Sequence, residues 1–235
     1  MKLLILAGGL GTRLRPAVND VPKALAPVFG VPFLHLQLEN WTKQGFDDFY
    51  FLLHHKADQI IDFVKTSRSI KFPECKFHWC VEEEPFGTGG AIANAVREFG
   101  LEGDFLVVNA DTWLGDGLRE LMTSPSPAIG VVFKEQVDRY GKVIFDNDSK
   151  IITFSEKQNL EASGWINSGM YLLSSLLFKS WDGRPFSLEE EFTNWVERKI
   201  AMLAVPMETE FIDIGIPSDF QRFCNWVETG RINKL

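Results

Sequence analysis

No stretch of this chain approaches the roughly 20 apolar residues that a membrane-spanning helix needs, and no part of it forms a basic block. Acidic side chains outnumber basic ones, 32 to 24, for a formal charge of −8. Nucleic acid demands a positive footprint, so the composition argues against such a partner. Nothing points to a membrane. A small anionic ligand stays open, because a few local cations and exposed backbone amides suffice to hold one. Cysteine is scarce too. Cys75, Cys80 and Cys224 are an odd number with no CxxC pair, which fits reduced thiols in a cytoplasmic protein. A secretory signal is missing: the first apolar run, residues 2–6, is short and ends in glycines, so it reads as a buried strand. There is no internal repeat, low-complexity tract or linker, and residues 1–235 read as one domain.

Apolar residues make up 45% of the chain, enough for a sizeable core. In the first half LLIL (3–6), FYFLLH (49–54), KFHWCV (76–81) and DFLVVNAD (104–111) read as strands. Between them, residues 33–44, 57–66 and 91–99 have helical spacing, and Gly45 ends the first helix. This rhythm predicts an α/β fold with a Rossmann-like mixed, mostly parallel sheet flanked by helices. The second half is richer in strands, at 128–133, 142–146, 150–156 and 165–173. Helices are expected at 186–199, with Ser187 as N-cap, and at 217–230, ended by Gly230. Ligands of such sheets bind at the carboxyl ends of the strands. The glycine loop after the first strand and Asp111 after the fourth both fall on that edge. His54 and His55 are adjacent on an expected strand, so their side chains should diverge and form no joint metal site.

The loop reads AGGLGTRLRP. From Gly9 it gives G-L-G-T-R-L, one glycine short of the dinucleotide fingerprint, and no lysine stands at Walker spacing. Pro16 and Pro22 prevent a long helix directly after it. What remains is a set of bare amides followed by Arg13, Arg15 and Lys23. Glycines admit phosphate oxygens close to backbone N–H groups, arginine supplies a planar fork and lysine a point charge. A surface turn with solvated cations is the bland alternative.

LAGGLGTRLRP, followed by VPKALAPV, resembles the double signature of the sugar-1-phosphate nucleotidyltransferases. The resemblance runs on through EEEPFGTGGAI (82–92), VVNADT (107–112), RYGKV (139–143), FSEK (154–157), INSGMYLL (166–173) and FIDIGIPSDF (211–220), in the family's order. Within the family the texture is most like the D-glycero-α-D-manno-heptose 1-phosphate guanylyltransferases. Mannose 1-phosphate guanylyltransferases and muramate 1-phosphate uridylyltransferases share much of it.

The resemblance implies the nucleotide-diphospho-sugar transferase fold, with residues 1–125 mainly binding nucleotide and a β-rich half, 126–235, mainly binding sugar phosphate. It implies a nucleoside triphosphate and a sugar 1-phosphate as substrates, and NDP-sugar and pyrophosphate as products. Arg13 and Lys23 match the catalytic cations. Leu6, Ala7, Gly8, Gly9, Gly11, Thr12, Glu82, Gly87, Thr88 and Asn109 match nucleotide-binding positions, Glu82 suiting the donors of guanine. Gly141, Glu156, Lys157 and Asn167 match sugar-phosphate positions. Asp111 and Asp213 match the aspartates that bind Mg²⁺. Ala110 departs from the family's usual glycine. Trp165, beside Asn167, is a candidate for touching substrate. A non-catalytic, sugar-nucleotide-sensing subunit is the rival reading, and such a protein is expected to lose one of the four charged residues that are all present here. A homodimer is left open.

Overall fold

The computed structural model describes residues 1–14, 16–18, 20–137, 140–155 and 163–232. Along the chain the elements are β1 (Leu3–Leu6), a 3-10 turn (Lys23–Leu25), β2 (Pro27–Val28), β3 (Val31–Pro32), α1 (Phe33–Lys43), β4 (Asp48–Leu53), α2 (Ala57–Ile70) and β5 (Lys76–Val81). Next come α3 (Gly87–Glu98), β6 (Asp104–Asn109), β7 (Thr112–Leu114), α4 (Leu118–Met122), β8 (Ala128–Lys134), β9 (Lys142–Phe145), β10 (Ile151–Ser155) and β11 (Gly164–Ser174). A second 3-10 turn (Ser175–Phe178), α5 (Leu188–Glu197), β12 (Leu203–Pro206), β13 (Phe211–Asp213) and α6 (Pro217–Glu228) follow.

The chain divides into two compact units interleaved along the sequence. One comprises Met1–Glu83, Asn109–Gly115 and Glu210–Leu235, the other Glu84–Val108 and Asp116–Thr209.

In the first unit β1, β4 and β5 lie side by side and parallel, with Leu3 opposite Phe49 and Phe49 opposite Phe77. Parallel neighbours need a crossover, and the amphipathic helices α1 and α2 supply it. Leu3, Leu4, Ile5, Phe49 and Phe51 are fully buried, so these strands read as continuous apolar runs rather than alternating ones. A second, short ladder pairs β7 antiparallel with β13, Thr112 opposite Asp213. An apolar cluster of Leu14, Phe33, Trp113, Ile212, Ile214 and Phe223 underlies it. Phe33 and Trp113 both set their rings against Phe223, with centroids 4.9 and 5.4 Å apart, a geometry that adds about 0.5–1.5 kcal/mol per pair beyond burial.

In the second unit β11 runs antiparallel to β6, β8 and β9, β9 pairs antiparallel with β10, and β12 runs parallel to β8. Helix α5 packs on β10 and α3, and α4 on β8 and β11. The register of β11 against β8 slips between Asn167 and Tyr171, where Gly169 turns through φ +75°. The fold is α/β, with a mixed sheet, parallel in its first strands and richer in antiparallel pairs later.

Three expectations are corrected here. Helix α3 starts at Gly87 rather than at 91, and α2 continues to Ile70 rather than stopping at 66. β4 ends at Leu53, so His54 and His55 lie beyond the strand and its alternation does not govern them. His54 Nδ1 is 3.0 Å from the Glu82 carbonyl oxygen. All three cysteines are free, as expected, and the structure buries them. Among the described residues no helix is long and apolar enough to cross a membrane.

Candidate active site

At the carboxyl end of β1 the chain leaves the sheet through Ala7, whose N–H donates to the Leu52 carbonyl at 3.0 Å. The three glycines that follow have different reasons to be glycine. A Cβ on Gly8 would come within 3.2 Å of the His54 Cβ, so a side chain there would crowd the neighbouring loop. Gly11 sits at φ +59° and accepts the Leu14 N–H at 3.1 Å, closing a turn. Gly9 has neither constraint: among the described residues a Cβ there would meet nothing within 4 Å. The chain's own packing does not require that bareness, so the space beside Gly9 is free for a ligand.

After the turn Leu14 drops into the apolar cluster at 1% exposure, which anchors the loop and leaves Thr12 and Arg13 exposed on its outer side. Arg13 forms no ion pair among the described residues. Pro22 then opens the 3-10 turn that begins with Lys23. A small crevice lined by Leu10, Gly11, Pro22, Lys23, His55 and Lys56 lies beside it.

Lys23 is the centre of the charged constellation. Its ammonium donates to Asp111 Oδ2 at 2.5 Å and to Asp213 Oδ1 at 3.3 Å, and its side chain is only 12% exposed. The two aspartates, about a hundred residues apart in sequence, are joined by the β7–β13 ladder. The Ile214 N–H extends the ladder by donating to the Asp111 carbonyl at 2.9 Å. Burial pushes the Asp213 carboxyl above its ordinary range, and the nearby Asp111 charge pushes the same way. The Lys23 ammonium and the Gly215 N–H, which donates to Asp213 Oδ1 at 2.7 Å, act in the opposite direction. Two carboxylates converging on one cation form the hard oxygen donor set that suits a magnesium ion completed by phosphate oxygens and water. Among the described residues no cluster of three or more His, Cys, Asp or Glu side chains could hold a metal without such help.

Ala110 is accommodated beside this site. It is buried, and its N–H donates to the Leu6 carbonyl at 3.0 Å. Gly215 was not singled out by its sequence. A Cβ there would stand 2.8 Å from Asp213 Oδ1 and 3.0 Å from Lys23 Nζ. The sequence signal was its place two residues after Asp213. Glu82 is 8% exposed at the end of β5 and its N–H donates to the Leu53 carbonyl, whereas Glu83 and Glu84 are exposed. Leu6, Ala7, Gly8, Gly9, Gly11, Thr12, Arg13, Lys23, Glu82, Asn109, Asp111 and Asp213 therefore all belong to the first unit.

The remaining candidates belong to the second unit. Gly87 and Thr88 open α3. The Thr88 hydroxyl donates to Glu189 Oε2 at 2.7 Å and accepts the Leu188 N–H at 2.8 Å, tying α3 to the start of α5. The single hydroxyl proton of Thr88 is thus committed within its own unit. The Gly89 and Gly90 N–H groups donate to the Phe186 carbonyl. Asn167 and Gly141 come together, the Asn167 N–H donating to the Gly141 carbonyl at 2.9 Å. The Asn167 side chain donates to the Tyr171 hydroxyl and accepts from the Gly169 N–H, both at 2.9 Å. Trp165 packs edge-on against Phe133 and at a tilt against Phe145. Glu156 and Lys157 lie outside the described residues, as do Arg15 and Arg139.

A family profile described as "Nucleotidyl transferase" matches residues 2–235. The chain belongs to this nucleotidyl transferase family. It is 33% identical over 224 residues to the D-glycero-alpha-D-manno-heptose 1-phosphate guanylyltransferase of Campylobacter jejuni, covering 95% of this chain and 98% of that one. It is 32% identical to the mannose-1-phosphate guanylyltransferase catalytic subunit beta of Xenopus tropicalis, covering 94% of this chain and 62% of that one. Among solved structures, HddC from Yersinia pseudotuberculosis, complexed with GMP-PN, superposes with a TM-score of 0.82 at 34% identity, covering 95% of this chain and 98% of that one.

Proposed function

We propose that the protein is a guanylyltransferase that joins GTP to D-glycero-α-D-manno-heptose 1-phosphate, giving the GDP-sugar and pyrophosphate. The observation that carries the chemistry is Lys23, held between Asp111 and Asp213 beside a bare glycine turn. The likeness to the Campylobacter enzyme along nearly the whole of both chains supports the substrate pair.

A sugar-phosphate oxygen attacks the α-phosphorus in line. The new P–O bond forms as the bond to pyrophosphate breaks, with no covalent enzyme intermediate. Such transfers depend on positioning and on neutralising charge. The amides of Gly8, Gly9 and Gly11 and the Thr12 segment cradle the triphosphate. Arg13 holds the leaving phosphates, and Lys23 bridges the α-phosphate and the incoming phosphate. Asp111 and Asp213 would hold Mg²⁺, which supplies further charge neutralisation at the phosphate oxygens. Buried Glu82 accepts from the guanine N1–H and N2–H₂ groups, with Leu6, Ala7, Gly87, Thr88 and Asn109 around the nucleotide. Gly141, Glu156 and Asn167 contact the sugar, and Lys157 pairs with its phosphate. On this reading residues 1–125 mainly serve the nucleotide and 126–235 the sugar phosphate, in a cytoplasmic enzyme.

A second substrate, mannose 1-phosphate, is favoured by the 32% identity to the Xenopus subunit. The test is pyrophosphate release with Mg²⁺, crossing GTP, UTP, CTP, dTTP and ATP against heptose, mannose, glucose and N-acetylated sugar 1-phosphates. One dominant signal with GTP and the heptose is expected. A dominant signal with mannose 1-phosphate selects the second reading. Silence from a folded protein that binds nucleotide rejects the catalytic reading.

A further inference from the structure

The strand that carries Asp111 into place has two edges. Toward β13 it is paired: Asp111 accepts from Ile214, Trp113 lies opposite Ile212, and the Gly115 N–H donates to the Glu210 carbonyl at 2.9 Å. Antiparallel pairing uses alternate residues, so the carbonyls of Thr112 and Leu114 point to the other edge, where among the described residues no strand of the ladder follows. A three-residue strand paired on one side only would leave those acceptors unmet, and the segment free to shift.

Helix α1 supplies the missing donors. Gln37 Nε2 donates to the Thr112 carbonyl at 2.9 Å, with the Asn109 carbonyl at 3.4 Å as a longer second acceptor. One turn later Asn40 Nδ2 donates to the Leu114 carbonyl at 2.8 Å. Positions 37 and 40 share a helix face, so two side-chain amides line up along β7 much as a strand would. Gln37 grips the chain on both sides of Asp111, while Asn40 holds it three residues away.

Gln37 is 1% exposed, and its other amide atom, Oε1, is buried with no hydrogen-bond partner among the described residues. A buried orphan acceptor carries a desolvation penalty that a methionine of similar length would avoid. The glutamine thus places a polar group in an apolar position at a cost to stability. In return it fixes the two peptides that bracket Asp111.

We propose that Gln37 is a positioning residue for the reaction: it acts through the backbone of residues 109–112 to set the Asp111 carboxylate. The inference rests on the reading of Asp111 as a metal-binding carboxylate. Its role is geometric, since its amide reaches the loop backbone and not the reacting atoms. Asn40 braces the same strand and serves as an internal control, because its bond lies farther from the carboxylate.

Binding of Mn²⁺ alone, followed by electron paramagnetic resonance, tests this without turnover. Asp111→Asn should abolish the binding; if it does not, the metal reading fails, whatever Gln37 does. With that reading standing, Gln37→Met should weaken Mn²⁺ by about tenfold or more, as loss of a ligand-orienting partner does elsewhere. Its kcat should fall with little change in the KM for sugar phosphate. Asn40→Leu should lower the melting temperature and leave Mn²⁺ affinity within about twofold. If Gln37→Met folds poorly, Gln37→Glu retains shape and polarity but offers no donor when ionised, and the same weakening is expected. Wild-type Mn²⁺ affinity in a folded Gln37→Met or Gln37→Glu variant, or equal weakening in Asn40→Leu, would overturn the proposal.

Discussion

Two glycine-rich segments, AGGLG after β1 and GTGG at the start of α3, look alike as text and differ in their surroundings. At the first, Gly9 has open space where a Cβ would be, and the nearby cations are Arg13 and Lys23. At the second, a Cβ on Gly89 would stand 2.1 Å from the Phe186 ring and one on Gly87 2.5 Å from the Phe186 carbonyl. The second run is bare because another part of its own unit fills the space. In the first, Gly9 is bare although nothing among the described residues needs it to be. Glycine richness alone therefore does not mark a phosphate site. What marks it is space left unfilled next to fixed positive charge.

The largest expected effect is at the charge cluster that accompanies the first turn. Asp213→Asn should cut turnover by more than about a hundredfold, the scale of losing a preorganised electrostatic group. Stability should not suffer in the same way. The Asp213 carboxyl is held above its ordinary value in the folded protein, so what it contributes to stability is present at low pH and lost as pH rises past the ordinary aspartate value of 3.8. At neutral pH the variant should melt no lower than the wild type. A thermal melt at pH 7 and a second near pH 3.5, where the difference should shrink, check the sign.

Next comes the second turn. Gly89→Ala should destabilise the fold by about 1–3 kcal/mol, because Phe186 must move to admit the methyl group. Denaturant melts measure this, and activity per folded molecule should persist. Gly9→Ala should do the reverse. Its stability should stay within about 0.5 kcal/mol of wild type, since nothing is displaced. Its KM for GTP should rise severalfold if, as proposed, the methyl group enters space that the triphosphate occupies. A destabilised Gly9→Ala variant with normal kinetics would erase the distinction between the two turns. The smallest effect is expected from the thiols. Burial pushes the Cys75 and Cys224 thiols up, so iodoacetamide at neutral pH should leave turnover unchanged.

Much of the fold could be read from the amino acids. The alternation at 76–81 predicts β5 residue for residue, and Ser187 caps α5 by accepting the Glu190 N–H. Gly45 and Gly230 end α1 and α6 with φ values of +93° and +75°. The first turn of α3 was missed because three glycines in four residues argue against helix on propensity, and the packing of Phe186 that favours them lies a hundred residues away. The β7 and β13 strands were missed too. Each is three residues long, too short to show a period. Yet their pairing is what brings Asp111 and Asp213 onto one lysine. The residues of the charged cluster were thus legible by resemblance, while the ladder that assembles them, the clearance at Gly215 and the brace from α1 were not. Each of those depends on a partner far away in sequence.

The most direct measurement is single-turnover nucleotidyl transfer by Lys23→Ala, with circular dichroism and a thermal melt to show that the variant is folded. If Lys23 acts on the phosphates from between the two aspartates, the rate should fall by about a hundred- to a thousandfold with the fold intact. A folded variant within about threefold of the wild-type rate would contradict the account and reduce the Lys23–Asp111–Asp213 cluster to a structural ion pair.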